Sequence, residues 1–132
     1  MSLGFKSDIF SYSKITWKKD INTKNIDSIK IIVNKNISNL KYTIYQSSGM
    51  ELNSNNFILK FPSKMLILKR WNSEMSFLEI KSILNLMTKL NKKKITVPKP
   101  KFFNNKRNII KYKNEFWSYF DFIDGNHFKG NL

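Results

Sequence analysis

The 132-residue chain contains no cysteine and no alanine, only four glycines and three prolines, and a single histidine. Without cysteine there is neither a disulfide framework nor a thiolate metal site. No stretch comes near the roughly 18 uninterrupted apolar residues of a spanning helix, so no membrane partner is expected. Met1-Ser2-Leu3-Gly4-Phe5-Lys6 lacks the apolar run and small-residue cleavage site of a secretory leader. A cytoplasmic location is therefore expected. There is no internal repeat and no proline-, glycine- or serine-rich linker, which leaves one domain with a core of its own.

Acids are scarce too. Nine Asp and Glu face 24 Lys and Arg, for a net charge of +15. Such a balance raises the question of phosphate-rich partners. Yet 22 of the basic residues are Lys, and only Arg70 and Arg107 are Arg. Nucleic-acid readers rely on Arg for bidentate and stacking contacts, so nucleic acid is disfavoured as a partner. The 17 Asn and 17 Ile that accompany the Lys are products of A/T-rich codons, which accounts for much of the charge.

What is present is regular patterning. Residues 1–22 are expected to form an irregular or partly extended lead-in. Thr23 can cap a helix from about Lys24 to Ser38, with Ile26, Ile29, Ile32, Val33 and Ile37 at helical spacing. Strands are expected over 40–46, 56–61 and 65–71, the last two joined by the Pro62-Ser63-Lys64 turn. Ser73 can cap a long helix reaching about Asn91 and closed by Lys92-Lys93-Lys94 at the negative end of its dipole. Ile95-Thr96-Val97-Pro98-Lys99-Pro100 must be extended, because each proline pushes its predecessor out of helical space. Strands over 108–112 and 115–122 follow, with Lys113-Asn114 as the turn. The expectation is an α+β fold, a five-stranded antiparallel sheet with one long helix between strands three and four and a further helix at the N-terminal side.

Two residues suggest chemistry. Lys69 ends the third strand, where a kinase carries its phosphate-binding Lys, paired with a Glu of the next helix. On that helix the apolar arc runs through Leu86, Leu90, Ile83, Met87, Ile80, Leu84 and Phe77, and Glu79 falls inside it. A carboxylate facing a packed interface needs a cation to meet it, and Lys69 is the natural partner.

From Val97-Pro98-Lys99-Pro100 through Phe116-Trp117-Ser118-Tyr119-Phe120-Asp121-Phe122-Ile123-Asp124-Gly125, the chain resembles the aminoglycoside phosphotransferase/choline kinase-like family. The similarity spans about residues 24–130. It departs from the pattern in the single Gly49 of the loop Ser48-Gly49-Met50, where kinases often have several glycines. The resemblance implies a kinase-like small lobe over 23–125, preceded by the lead-in 1–22 and followed at 126–132 by the start of a linker to a second lobe. It implies ATP as cofactor, with the Gly49 loop over the phosphates and Lys69 and Glu79 beneath them. It places a hinge at Asp121, Phe122 and Ile123, whose backbone would bond adenine, with Ile58, Phe61, Leu68 or Phe122 against the ring. His127 is expected at the surface.

The catalytic Asp, the metal-holding Asn and the magnesium site of such enzymes belong to the other lobe. No His-x-Asp occurs in the chain. The expectation is therefore a lobe inactive alone, whether trimmed, truncated or completed by another chain. Its parent enzyme would phosphorylate a hydroxyl of a small metabolite or aminoglycoside, the acceptor bound by the missing lobe. The exposed inter-lobe face would offer a surface for self-association. Two other classes compete. A small basic nucleic-acid-binding module would show steep salt dependence. A kinase-like lobe serving as a protein-interaction domain would need a partner on the same face.

Overall fold

Short, largely apolar runs separated by turns produce the antiparallel sheet, whose central strands are buried on both faces. The computed structural model describes residues 9–12, 15–19, 23–48 and 56–122. The elements are β1 (Ile9–Tyr12), β2 (Ile15–Lys19), α1 (Thr23–Asn36), β3 (Thr43–Ser48), β4 (Asn56–Lys60), β5 (Met65–Arg70), α2 (Phe77–Lys92), β6 (Ile110–Tyr112) and β7 (Glu115–Asp121). The sheet order is β1-β2-β3-β4-β5-β7-β6, every neighbouring pair antiparallel.

The α+β class and the five expected strands are present, as β3-β4-β5-β7-β6. The sheet is nevertheless seven-stranded, because part of the supposed lead-in is a hairpin. Its second strand pairs with β3, Thr16 opposite Ser48 and Lys19 opposite Tyr45. An uncovered β3 would present a row of unpaired N–H and C=O groups, and the hairpin removes that edge.

The two helices take opposite faces. On one, Ile29, Ile32 and Val33 of α1 pack onto Ile44, Phe57, Leu59, Leu66, Leu68, Trp117 and Tyr119. On the other, Ile80 and Leu84 of α2 meet Trp71, Ile109 and Phe120, with Ile67 and Phe116 alongside. The strand period of two sorts the residues: Leu66 and Leu68 look toward α1, Ile67 and Trp71 toward α2. Each of these buried aliphatic side chains contributes roughly 1.5–3 kcal/mol by leaving water.

Arg70 faces the α1 layer. Its guanidinium donates to Asn25 Oδ1 (3.1 Å), pairs with Glu115 (3.7 Å) and lies over the rings of Phe57 and Trp117 (5.6 and 5.5 Å). It ties the start of α1 to the sheet.

The chain's four glycines all lie outside the described residues, and the left-handed positions within them fall to Lys94, Lys106, Lys113 and Asn114. Lys113 (φ 50°) and Asn114 (φ 62°) form the two-residue β6–β7 turn, the primed geometry that matches strand twist. Lys94 (φ 62°) closes α2: its N–H donates to Asn91 O, and Ile95 N–H to Leu90 O. That is a Schellman closure with Lys where glycine is usual. The segment after α2 is extended, as the prolines require. Pro100 bridges Phe120 at the edge of β7, where Lys101 N–H donates to Tyr119 O and Asp121 N–H to Lys99 O, so the pairing needs no proline N–H.

Candidate functional site

Lys69 sits on the α2 face of β5, opposite Asn56 of β4 and Ser118 of β7. Its Nζ donates to Asn56 Oδ1 (3.3 Å) and lies 5.0 Å from the centre of the Trp71 ring. Burial disfavours its charge and pulls its pKa below the ordinary lysine value. No carboxylate pairs with it among the described residues.

The polar row continues across β7. Trp71 Nε1–H donates to Ser118 Oγ (2.9 Å), whose hydroxyl donates to Asn108 O (2.9 Å). Lys81 Nζ of α2 donates to Asn108 Oδ1 (3.1 Å). The result is a buried band of hydrogen-bonded groups ending in an ammonium held by one amide and an aromatic face.

Glu79 does not join this band, contrary to the sequence expectation. Its side chain is exposed, and Oε1 accepts from Ser76 N–H (2.8 Å) while Glu79 N–H donates to Ser76 Oγ (3.1 Å). This is a capping box, so α2 starts after Ser76 instead of Ser73. Asn72 turns the intervening residues, its Oδ1 accepting from Glu74 N–H and its carbonyl from Met75 N–H. The hydrogen bonds from Ser76 hold the Glu79 carboxyl below its ordinary pKa. The apolar arc was wider than the surface it covers. Contact with the sheet centres on Ile80 and Leu84, which leaves Leu86 56% exposed and Glu79 beyond the seam.

The hinge residues are partly committed. Asp121 N–H donates to Lys99 O (3.1 Å), Phe122 N–H to Met65 O (3.4 Å), and the Asp121 carboxylate pairs with Lys101 (3.6 Å). Those two N–H groups are therefore not free for adenine. Gly49, Ile123 and His127 lie outside the described residues. Of the residues expected against the ring, Ile58 shares the face of Lys69, whereas Phe61 and Leu68 belong to the α1 core and cannot wall a ligand beside it. Sequence reasoning missed Asn56, Trp71 and Ser118. The register that aligns Asn56 with Lys69 could have been counted from the Pro62-Ser63-Lys64 turn; the β5–β7 pairing that adds Ser118 could not.

Two clefts flank α1 on the opposite side of the sheet, of about 590 Å³ and about 310 Å³, and Lys69 lines neither. No group of three or more His, Asp or Glu is placed to hold a metal among the described residues, and no helix there is long and apolar enough to cross a membrane.

No protein-family model, no curated protein and no solved structure matches this chain.

Proposed function

We propose that this chain is a nucleotide-binding small lobe of a kinase-like phosphotransferase, with Lys69 receiving a phosphate of ATP. One observation carries the reading: a partly buried ammonium on the third strand of the β3-β4-β5 meander, held by Asn56 and Trp71, with no carboxylate beside it among the described residues. Taking a cation out of water is unfavourable unless an anion meets it, and phosphate oxygens are suited to that place. The element order supports the same reading, with α2 inserted between β5 and β6 and β7 returning to lie beside β5.

The residues on hand fit the phosphates better than the base. Lys69 would donate to phosphate oxygens while Asn56 fixes its direction, and Trp71 shields one side of the ammonium from water. ATP supplies the transferable phosphoryl group. Glu79 has no part in this arrangement, and the N–H groups of Asp121 and Phe122 are assigned no contact with adenine. The base and metal ligands needed to phosphorylate a small-molecule hydroxyl come from outside these 132 residues. Leu78 and Leu86, exposed on α2, support a surface that docks against protein.

Calorimetric titration of the chain with magnesium-ATP and with adenosine tests this. ATP should bind, adenosine much more weakly, and Lys69→Ala should lower ATP affinity by about tenfold, the value of one charge-assisted hydrogen bond. Equal affinity for ATP and adenosine, or an unaltered Lys69→Ala variant, would overturn the assignment.

A further inference from the structure

The cleft of about 590 Å³ lies between α1 and the segment entering β3, on the face away from Lys69. Its size is that of a small-molecule site. Ile26 and Ile44 give it an apolar floor, and Lys30 and Asn34 of α1 face Asn39 and Lys41 across it. Lys30 and Lys41 are exposed, and neither ammonium is held by an ion pair or hydrogen bond among the described residues. No acidic residue is among the described residues lining the cleft; Asp27, one turn before Lys30, is exposed outside it.

Tyr42 makes this more than a charged groove. It lines the cleft, its ring packs against Phe61 (centroids 5.2 Å apart), and its hydroxyl is buried with no hydrogen-bond partner among the described residues. Buried hydroxyls are nearly always paired, so an orphan calls for a partner that is elsewhere. The neighbouring side chains offer ammonium and amide donors but no carboxylate acceptor.

We infer that this cleft binds an organic anion, a compact apolar body carrying a sulfonate, carboxylate or phosphate. The anionic group lies between Lys30 and Lys41, and the apolar body rests on Ile26, Ile44 and the Tyr42 ring. The Tyr42 ring turns toward the ligand as the body seats, and its hydroxyl, buried in the free chain, then donates to a ligand oxygen. The smaller cleft on the other flank of α1 also presents cations, among them Lys35 and Arg107, but at about 310 Å³ it offers about half the room and no orphan buried hydroxyl among its described lining residues.

The test is a fluorescence titration of the whole chain with 8-anilinonaphthalene-1-sulfonate and with N-phenyl-1-naphthylamine, the same body without the sulfonate. The sulfonate should bind one to one and at least tenfold tighter than the amine. Lys30→Gln with Lys41→Gln should weaken it about tenfold, while Lys89→Gln, exposed on α2 across the sheet, should not. Tyr42→Phe should weaken binding severalfold yet unfold at a temperature no lower than the unmodified chain, since it removes an unpaired buried hydroxyl. Equal binding of the amine would overturn the inference. So would equal losses in the Lys89→Gln control, or a Tyr42→Phe variant that binds as before.

Discussion

The Glu79 carboxylate accepts a 2.8 Å hydrogen bond from the backbone N–H of Ser76 and so belongs to the start of α2, turned away from Lys69. The helix dipole and the orphan donors of the first turn both favour a carboxylate there. A Glu three residues after a Ser satisfies them locally, at less cost than reaching into the sheet.

Removing the cap should show in stability and not in ligand binding. Ser76→Ala should destabilise the chain by about 1 kcal/mol in urea unfolding, the usual value for a lost N-cap. Glu79→Gln should leave ATP affinity unchanged; a loss as large as that of Lys69→Ala would restore the ion pair that the geometry denies. The sign with pH follows from the depressed Glu79 pKa. Its contribution is present above the ordinary carboxyl value and is lost as pH falls through the lower folded value.

Lys69 gives a slope of the same sign, as a burial penalty relieved instead of a contribution gained. Its folded pKa is lowered by burial, so the unfolded chain binds more protons between that value and 10.5. Stability relative to Lys69→Met should therefore rise with pH across that window and stay level below it. The gain should not exceed about 1 kcal/mol, since the group still reaches solvent. A difference that falls with rising pH would mean that the ammonium is stabilised by an anion in the free protein.

Lys94 occupies a left-handed position at φ 62°. Lys94→Gly should stabilise α2 by about 1 kcal/mol, because glycine escapes the Cβ clash there. Chemical denaturation would register a higher midpoint at unchanged slope; a lower midpoint would show that the gain in chain entropy of the unfolded state outweighs the strain.

Arg70 is the described residue least replaceable by the chain's preferred cation. It spans Asn25, Glu115 and two aromatic faces at once, which a planar fork can do and a point charge cannot. Arg70→Lys should cost about 1–2 kcal/mol from the lost stacking and hydrogen bonding. A variant as stable as the parent in thermal unfolding would refute that account.

Much of the fold was legible because local patterns dictated it. Pro62-Ser63-Lys64 and Lys113-Asn114 set their hairpins, and Val97-Pro98-Lys99-Pro100 could be nothing but extended. The hairpin of β1 and β2 was not legible, since its inner strand is stabilised by pairing with β3, a contact distant in sequence. The site divides the same way. Lys69 was found from its place on a strand, whereas Glu79 was misplaced by weighing the whole apolar arc of α2 over the nearer signal of Ser76-Phe77-Leu78-Glu79. Asn56 and Ser118 became visible only once the register brought them beside Lys69.

The central claim is that the Lys69 ammonium receives nucleotide phosphate, and its own titration reads this most directly. NMR detection of the Lys69 side chain through a pH series, with and without ATP, should show a depressed pKa in the free chain that moves upward when ATP is present, as an adjacent anion requires. A Lys69 titration unmoved by saturating ATP would contradict the account.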